Sequence, residues 1–358
     1  MHLVVLQHGL LGKPGHLSFL ERLIQEEAQH IGSSVVILNS TTNVFLRTYD
    51  GVDVCGERLA EHIRIFLERR KDDEEITEVS FVGYSLGGLI VRYAIAVLWA
   101  KGFFDRIKPK SLVLVATPNL GARKSGTSVV ERVFNATFSF ITADTGHQLA
   151  LSDDFLNGVP LLFVMSDPTM AFLSALSQFE SRHTYAAIQG DRTVPFGSAS
   201  ISQHQKHLAC EPCLQDFPSI VRPSPLQQKG PKHNSKCSLQ VCLVVAFFPV
   251  LLPWFIFVLC ALFCYSRCCA TGPGSDRSWL VSTANPLAQE KTAEEPSHDV
   301  VTQMATQLNS LAWNKHSCQC SHFNAHAAII ARDIFRRQNR DICHHIALSV
   351  LDCMPSYD

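Results

Sequence analysis

The chain has 358 residues, enough for one large domain or two small ones with a substantial core. Its net charge is −1 and its pI is near 7, which excludes the basic footprint of a nucleic-acid-binding protein. Charged residues make up 18% and apolar residues 46%, and much of the charge deficit falls in one segment around residue 250.

Met1-His2 leads straight into Leu3-Val4-Val5-Leu6, a short apolar strand with neither a basic leader region nor a cleavage site. The 13 cysteines are odd in number and scattered, so they are expected as reduced cytosolic thiols. The first strand, from His2 to Gln7, runs into His8-Gly9-Leu10-Leu11-Gly12. A helix is predicted from Ser18 to Ala28, with Phe19, Leu20, Leu23 and Ile24 on one face. Val35 to Leu38 is the next strand. A helix from about Gly56 to Arg70 follows, with Leu59, Ile63, Phe66 and Leu67 on its apolar face.

Ile76 to Val82 is predicted as a strand and Leu86 to Ala100 as the helix after it. Ser111 to Ala116 is a further buried strand, ending in Thr117-Pro118-Asn119. Residues 122–158 read as a lid-like insertion, or as ordinary packing on the sheet. Leu161 to Met165 and His183 to Ile188 are predicted strands, the latter leading into Gly190-Asp191-Arg192-Thr193. Alternating apolar strands and amphipathic helices indicate an α/β fold with a mostly parallel sheet. Ligands bind such sheets beyond the carboxyl ends of the strands. Gly9, Ser85, Thr117 and Asp191 all follow strands and so share that edge.

The densest motif is Val82-Gly83-Tyr84-Ser85-Leu86-Gly87-Gly88-Leu89. It is G-x-S-x-G between a strand and a helix, the context of a nucleophile elbow. Gly83 and Gly87 are expected where strand and helix approach too closely for a β-carbon. Ser85 is the candidate nucleophile, with Oγ exposed at the sheet edge. The Leu86 N–H is expected to face an oxyanion. Leu10 N–H, on the loop after the first strand, is the second oxyanion candidate, and His8 is expected to orient that loop.

With Leu6-Gln7-His8-Gly9-Leu10, the run Thr48-Tyr49-Asp50-Gly51-Val52-Asp53 and its continuation to Leu59, Ala116-Thr117-Pro118 and Asp191-Arg192-Thr193-Val194-Pro195, the chain resembles the serine esterase family of lipase-like α/β hydrolases. That family includes membrane- and lipid-droplet-associated phospholipases. The resemblance covers roughly residues 2–201 and resumes near 301–350. It implies an α/β-hydrolase fold, Ser85 as nucleophile and Asp191 as the acid; separately, no cofactor and no metal are expected. Asn119 departs from the family, which more often has histidine there.

In this fold the triad order is Ser, Asp or Glu, then His. Asp167 rivals Asp191, since it too follows a predicted strand. The candidate bases are His204, His207, His233, His298, His316, His322, His326, His344 and His345. Trp313 to Phe323 has room for a last strand, and His326 follows it by a short turn. The family's Ala-His before an apolar helix implies the same residue. His316, Cys318, Cys320 and His322 alternate on one strand face and could meet zinc, although in-line positions rarely close a tetrahedron.

Cys237 to Ser266 carries no charge, and Val241 to Tyr265 is long enough to span a bilayer. A single span would put Asp191 and His326 on opposite sides. Pro249 and Pro253 would bend a helix there, and Lys229, Lys232, Lys236, Arg267 and Arg277 flank it on both sides. The expectation is therefore a hydrophobic hairpin over 239–266, inserted from the cytosolic face, with Cys268 and Cys269 open to palmitoylation. The expected organisation is a hydrolase core over 1–201, linkers over 202–238 and 267–300 around the hairpin, and the end of the hydrolase fold over 301–358. The expected activity is hydrolysis of membrane or lipid-droplet lipid, phospholipid first. The expected site is a droplet or endoplasmic-reticulum surface, with the catalytic domain cytosolic. Acylglycerol, a thioester substrate, and a catalytically silent membrane adaptor are the alternatives.

Overall fold

In the computed structural model, residues 1–70, 74–122, 142–202, 209–212, 214–224, 260–261, 264, 279–280, 299–320, 324–332 and 339–353 are described. Among them an eight-stranded sheet forms the centre. Its strands are β1 (His2–Gln7), β2 (Val35–Asn39), β3 (Glu78–Tyr84), β4 (Lys108–Val115), β5 (Ser181–Ala187), β6 (Ala209–Pro212), β7 (Ile220–Ser224) and β8 (Asn314–Cys318). Their order across the sheet is β2-β1-β3-β4-β5-β8-β7-β6. The first six strands in that order pair in parallel. β7 and β6 close one edge antiparallel.

Both faces are covered, which is why the strands read as apolar runs rather than alternations. Leu3, Val5, Phe81, Leu112 and Leu114 point to one face, beneath α2 (Val52–Arg69) and α3 (Leu86–Ala100). Val4, Leu6, Val82, Val113 and Val115 point to the other, beneath α1 (Ser18–His30) and α10 (Arg340–Val350). α2 and α3 pack tightly: a β-carbon on Gly56 would fall 2.6 Å from the Tyr93 ring.

The remaining helices are short: α4 (Ala143–Leu149), α5 (Leu161–Val164), α6 (Ala171–Ser177), α7 (Phe196–Ala199), α8 (Asp299–Leu308) and α9 (Ala325–Ala328). Leu161 to Met165, predicted as a strand, is therefore a buried helix. The place beside β4 is filled by β5, so this short apolar run packs onto the core instead. Short apolar runs do not distinguish strand from helix by pattern alone.

The two stretches expected as linkers also hold structure. Residues 202–238 contain β6 and β7. In 267–300, Leu280 is buried and Trp279 meets Tyr93 and Phe172 edge-on at 5.8 and 5.7 Å. Residues 123–141 of the lid-like insertion, and all of the apolar segment but Cys260, Ala261 and Cys264, lie outside the described residues. Among the described residues no helix is long and apolar enough to cross a membrane.

α10 is latched to the sheet by a buried polar cluster. Tyr185 Oη lies 2.6 Å from His345 Nδ1 and 2.7 Å from Ser349 Oγ. His316 stacks on Tyr185 and its Nε2 lies 3.1 Å from His183 Nδ1. Burial holds these imidazoles neutral, with His183 and His345 lowered to about 4 and His316 to about 2. In the unfolded chain the same groups titrate near 6.5. Above that pH the cluster opposes folding by no proton uptake. Below it the unfolded state binds protons that the native state refuses. Urea midpoints are therefore expected to fall steadily as pH drops from about 6.5 toward 4. The fall should be shallower in His316→Phe, and an equal slope in that variant would show that the cluster is not its source.

Candidate active site

Parallel pairing brings the carboxyl ends of β1, β3, β4, β5 and β8 to one edge. Ser85 stands between β3 and α3, as the N-cap of α3, at φ 56° and ψ −130°. A non-glycine residue held there stores about 1–3 kcal/mol of strain. The surroundings enforce it: Ser85 N–H donates to Val115 O at 2.8 Å and Ser85 O accepts from Gly88 N–H at 3.0 Å. The glycines permit the turn. A β-carbon on Gly83 would fall 2.3 Å from Gly88 Cα, and one on Gly87 2.2 Å from Gln7 O. On Gly88 it would meet Thr117 Oγ1 at 2.0 Å, so the Ala-Thr-Pro motif seats the start of α3.

Ser85 is 6% exposed, and not open as expected from the motif. The β1 loop and α9 close around it. A β-carbon on Gly9 would lie 2.6 Å from Ser85 Cβ, and His326 Nε2 lies 2.9 Å from Ser85 Oγ. The other nitrogen, His326 Nδ1, lies 2.7 Å from Asp191 Oδ2. Asp191 Oδ1 accepts N–H bonds from Thr193 at 2.8 Å and Val194 at 2.9 Å. The carboxylate is thus aimed by its own turn. Serine, imidazole and carboxylate stand in the order that acyl transfer by a serine requires.

His326 is positioned by four contacts. Asn324 caps α9 by accepting the Ala327 N–H at 3.3 Å. Ala325 N–H donates to Gly190 O at 3.3 Å, docking α9 on the Asp191 loop. Tyr84 Oη donates to His326 O at 2.7 Å, and its ring lies 5.1 Å from the imidazole. Tyr84 and Asn324 carry no signal in the sequence that marks these roles.

Leu86 N–H begins α3, and Leu10 N–H lies on the loop that carries Gly9 against Ser85. Buried His8 holds this loop through Nδ1, 3.1 Å from Gly9 O. Thr48, from the Thr-Tyr-Asp-Gly run, accepts Leu11 N–H at 3.0 Å. Thr48 O in turn accepts from Thr145 of α4 at 2.7 Å. The motif and the described end of the insertion therefore brace the loop beside the serine.

Asn119 is buried and makes its own bonds, with Nδ2 to Thr117 O and Ala199 O and Oδ1 to the buried Arg92. Arg92 donates also to Met165 O at 3.1 Å. Burial lowers its pKa to about 10.

The rival candidates are elsewhere. Asp167 follows α5, not a strand, and accepts from Thr169 in an exposed turn. His344 pairs with Glu27 at 3.0 Å, while His316 and His345 belong to the Tyr185 cluster. His204, His207, His233, His298 and His322 lie outside the described residues. Among the described residues no group of three metal-binding side chains converges, and His316 is committed to His183 and Tyr185.

A mostly parallel sheet, a strained serine after its β3 strand and this hydrogen-bonded order define an α/β-hydrolase-like fold with a serine-centred site. The chain belongs to the family described as "Putative serine esterase (DUF676)", which matches residues 1–204. It is 33% identical over 205 residues to "Putative lipase ROG1" of Saccharomyces cerevisiae, covering 56% of this chain and 28% of that protein. It is 32% identical over 207 residues to "Putative lipase C4A8.10" of Schizosaccharomyces pombe, covering 56% and 26%. The chain thus spans about a quarter of the length of these relatives. Among solved structures it is similar to a lipase-esterase related protein from Clostridium acetobutylicum at 11% identity and TM-score 0.33, covering 57% of this chain and 87% of that one.

Gly87→Ala would drive a methyl group into the Gln7 carbonyl. It is expected to destabilise the fold by at least about 1–3 kcal/mol, read as a lower thermal midpoint. An unchanged midpoint would show that β1 and α3 are not packed this closely.

Proposed function

We propose that the chain is a serine carboxylester hydrolase acting on lipid at a membrane or lipid-droplet surface, with phospholipid as the favoured substrate. The observation that carries the chemistry is the pair of bonds on His326, to Ser85 and Asp191. Ser85 Oγ attacks the acyl carbonyl as its proton passes to His326 Nε2. Asp191 holds the Nδ1 tautomer and stabilises the imidazolium. Leu10 and Leu86 N–H groups hold the oxyanion. The C–O bond to the leaving alcohol breaks as His326 returns the proton to it. Water then repeats the sequence on the acyl-enzyme and releases a fatty acid.

The lipid surface is supported by the charge-free run Cys237 to Ser266. The hairpin reading is supported by the sheet. β7 precedes the run, β8 follows it, and the two pair directly, Val221 opposite Ser317. Asp191 and His326, on either side of the run, are hydrogen bonded. A chain that enters a membrane between them returns to the side it left. Cys260, Ala261 and Cys264, the described residues of the run, are exposed.

Purified protein is expected to hydrolyse phospholipid and to label with a fluorophosphonate. Ser85→Ala should abolish both, and Asp191→Asn should lower turnover by roughly 10⁴. Wild-type protein that fails to label would favour the silent adaptor. Faster turnover of acylglycerol or thioester than of phospholipid would move the substrate class. Protease protection of tags at residues 1 and 358 is expected to show both on one side. Opposite sides would overturn the hairpin.

A further inference from the structure

Four large apolar side chains are exposed among the described residues: Leu11, Ile31, Phe45 and Val301. Two of them, Leu11 and Phe45, lie on separate loops that are hydrogen bonded to each other beside the candidate site. Leu11 is 45% exposed and Phe45 56%. Leu11 follows Leu10 on the loop that Gly9 presses against Ser85. Phe45 N–H donates to Gly12 O at 2.9 Å, joining its 3₁₀ turn to that loop. Both residues sit at φ 51°, in the left-handed region that side-chain-bearing residues rarely adopt. The fold holds them there through bonds made elsewhere: Leu11 N–H to Thr48 Oγ1 at 3.0 Å, and Gly12 N–H to Gly9 O at 3.0 Å.

Within these two loops the charge has one sign, while Glu21, which shares Asn39 Nδ2 with Pro14 O, and exposed Asp144, beside Thr145, are the acids that neighbour them. Lys13 and Arg47 are exposed on the same two loops. Residues 9–17 and 40–49 contain no aspartate or glutamate. The next acid, Asp50, is buried and taken by Arg58 at 2.6 Å. Singly exposed apolar residues need no explanation, but an apolar pair at the rim of a site, edged by cations, marks a docking surface.

We infer that the Leu11–Phe45 knob, with Lys13 and Arg47, docks the rim of the Ser85 site onto an anionic phospholipid surface. The inference rests on the proposed lipid hydrolysis and deepens it. The two apolar side chains enter the acyl boundary while the two cations meet phosphate or carboxylate headgroups. This contact is made by residues of the catalytic fold other than residues 239–266. Its role is to bring the serine to the lipid rather than to anchor the chain.

The test uses the full chain carrying Ser85→Ala, so that vesicles stay intact and the result does not depend on catalysis. Phe45→Trp is added, and its extra emission is read against brominated phosphatidylcholine vesicles with and without phosphatidylserine. The expected result is quenching that is stronger with phosphatidylserine and is relieved by salt. In the active chain, Phe45→Asp is expected to lower the ratio of vesicle to soluble-ester turnover by at least about tenfold, the scale of burying one aromatic side chain. No quenching, equal quenching in the two vesicles, or an unchanged ratio would overturn the inference. Fluorophosphonate labelling of wild-type Ser85 reports separately on the hydrolase reading, so failure of one is distinguishable from failure of the other.

Discussion

The imidazole of His326 accepts two obligations that bind the molecule together. One nitrogen meets Ser85, 241 residues earlier in the chain, and the other meets Asp191. Neither bond tolerates a displacement of an ångström. Everything between these residues must therefore leave and rejoin the sheet without disturbing its carboxyl edge. The β7–β8 pairing and the docking of Ala325 on Gly190 O are the local bonds that meet this condition.

The serine is held by a different kind of constraint. Its backbone angles are unfavourable in isolation, and they persist because Gly83, Gly87 and Gly88 remove the atoms that would block the turn. The close approach of β1, β3, β4 and α3 then leaves a single conformation. The same packing that strains Ser85 also brings the Gly9–Leu10 loop against it. The strain at Ser85 and the close approach of the Gly9–Leu10 loop are consequences of one close-packed junction.

Much of the framework was legible because a sheet covered on both faces demands apolar strands. β1, β3, β4 and α3 stand out as mostly apolar runs, with glycines at the turns after β1 and β3. The elbow was legible because its glycines are steric necessities. Other features were not. Leu161 to Met165 is apolar enough for either a strand or a helix, and only the occupied neighbour of β4 decides for the helix. β6 and β7 are short, carry proline and glutamate, and gain their place from the exposed edge of β8. Trp279 sits in a polar stretch yet finds an aromatic niche made by Tyr93 and Phe172.

The amino-acid sequence by itself determined the elbow, the parallel α/β class and the short list of acids and bases. Those depend on local sterics and on the period of apolar residues, which act over a few positions. Only the tertiary structure decided which members of the list meet. Asp167 follows a helix rather than a strand, His316 and His345 are spent in the neutral cluster around Tyr185, and among the described candidates it is His326 that is carried to Ser85. It also decided that Tyr84 supports His326 and that Thr48 braces the loop after β1. These are contacts between segments far apart in the chain, and their existence depends on strand register and helix docking, which no local pattern encodes.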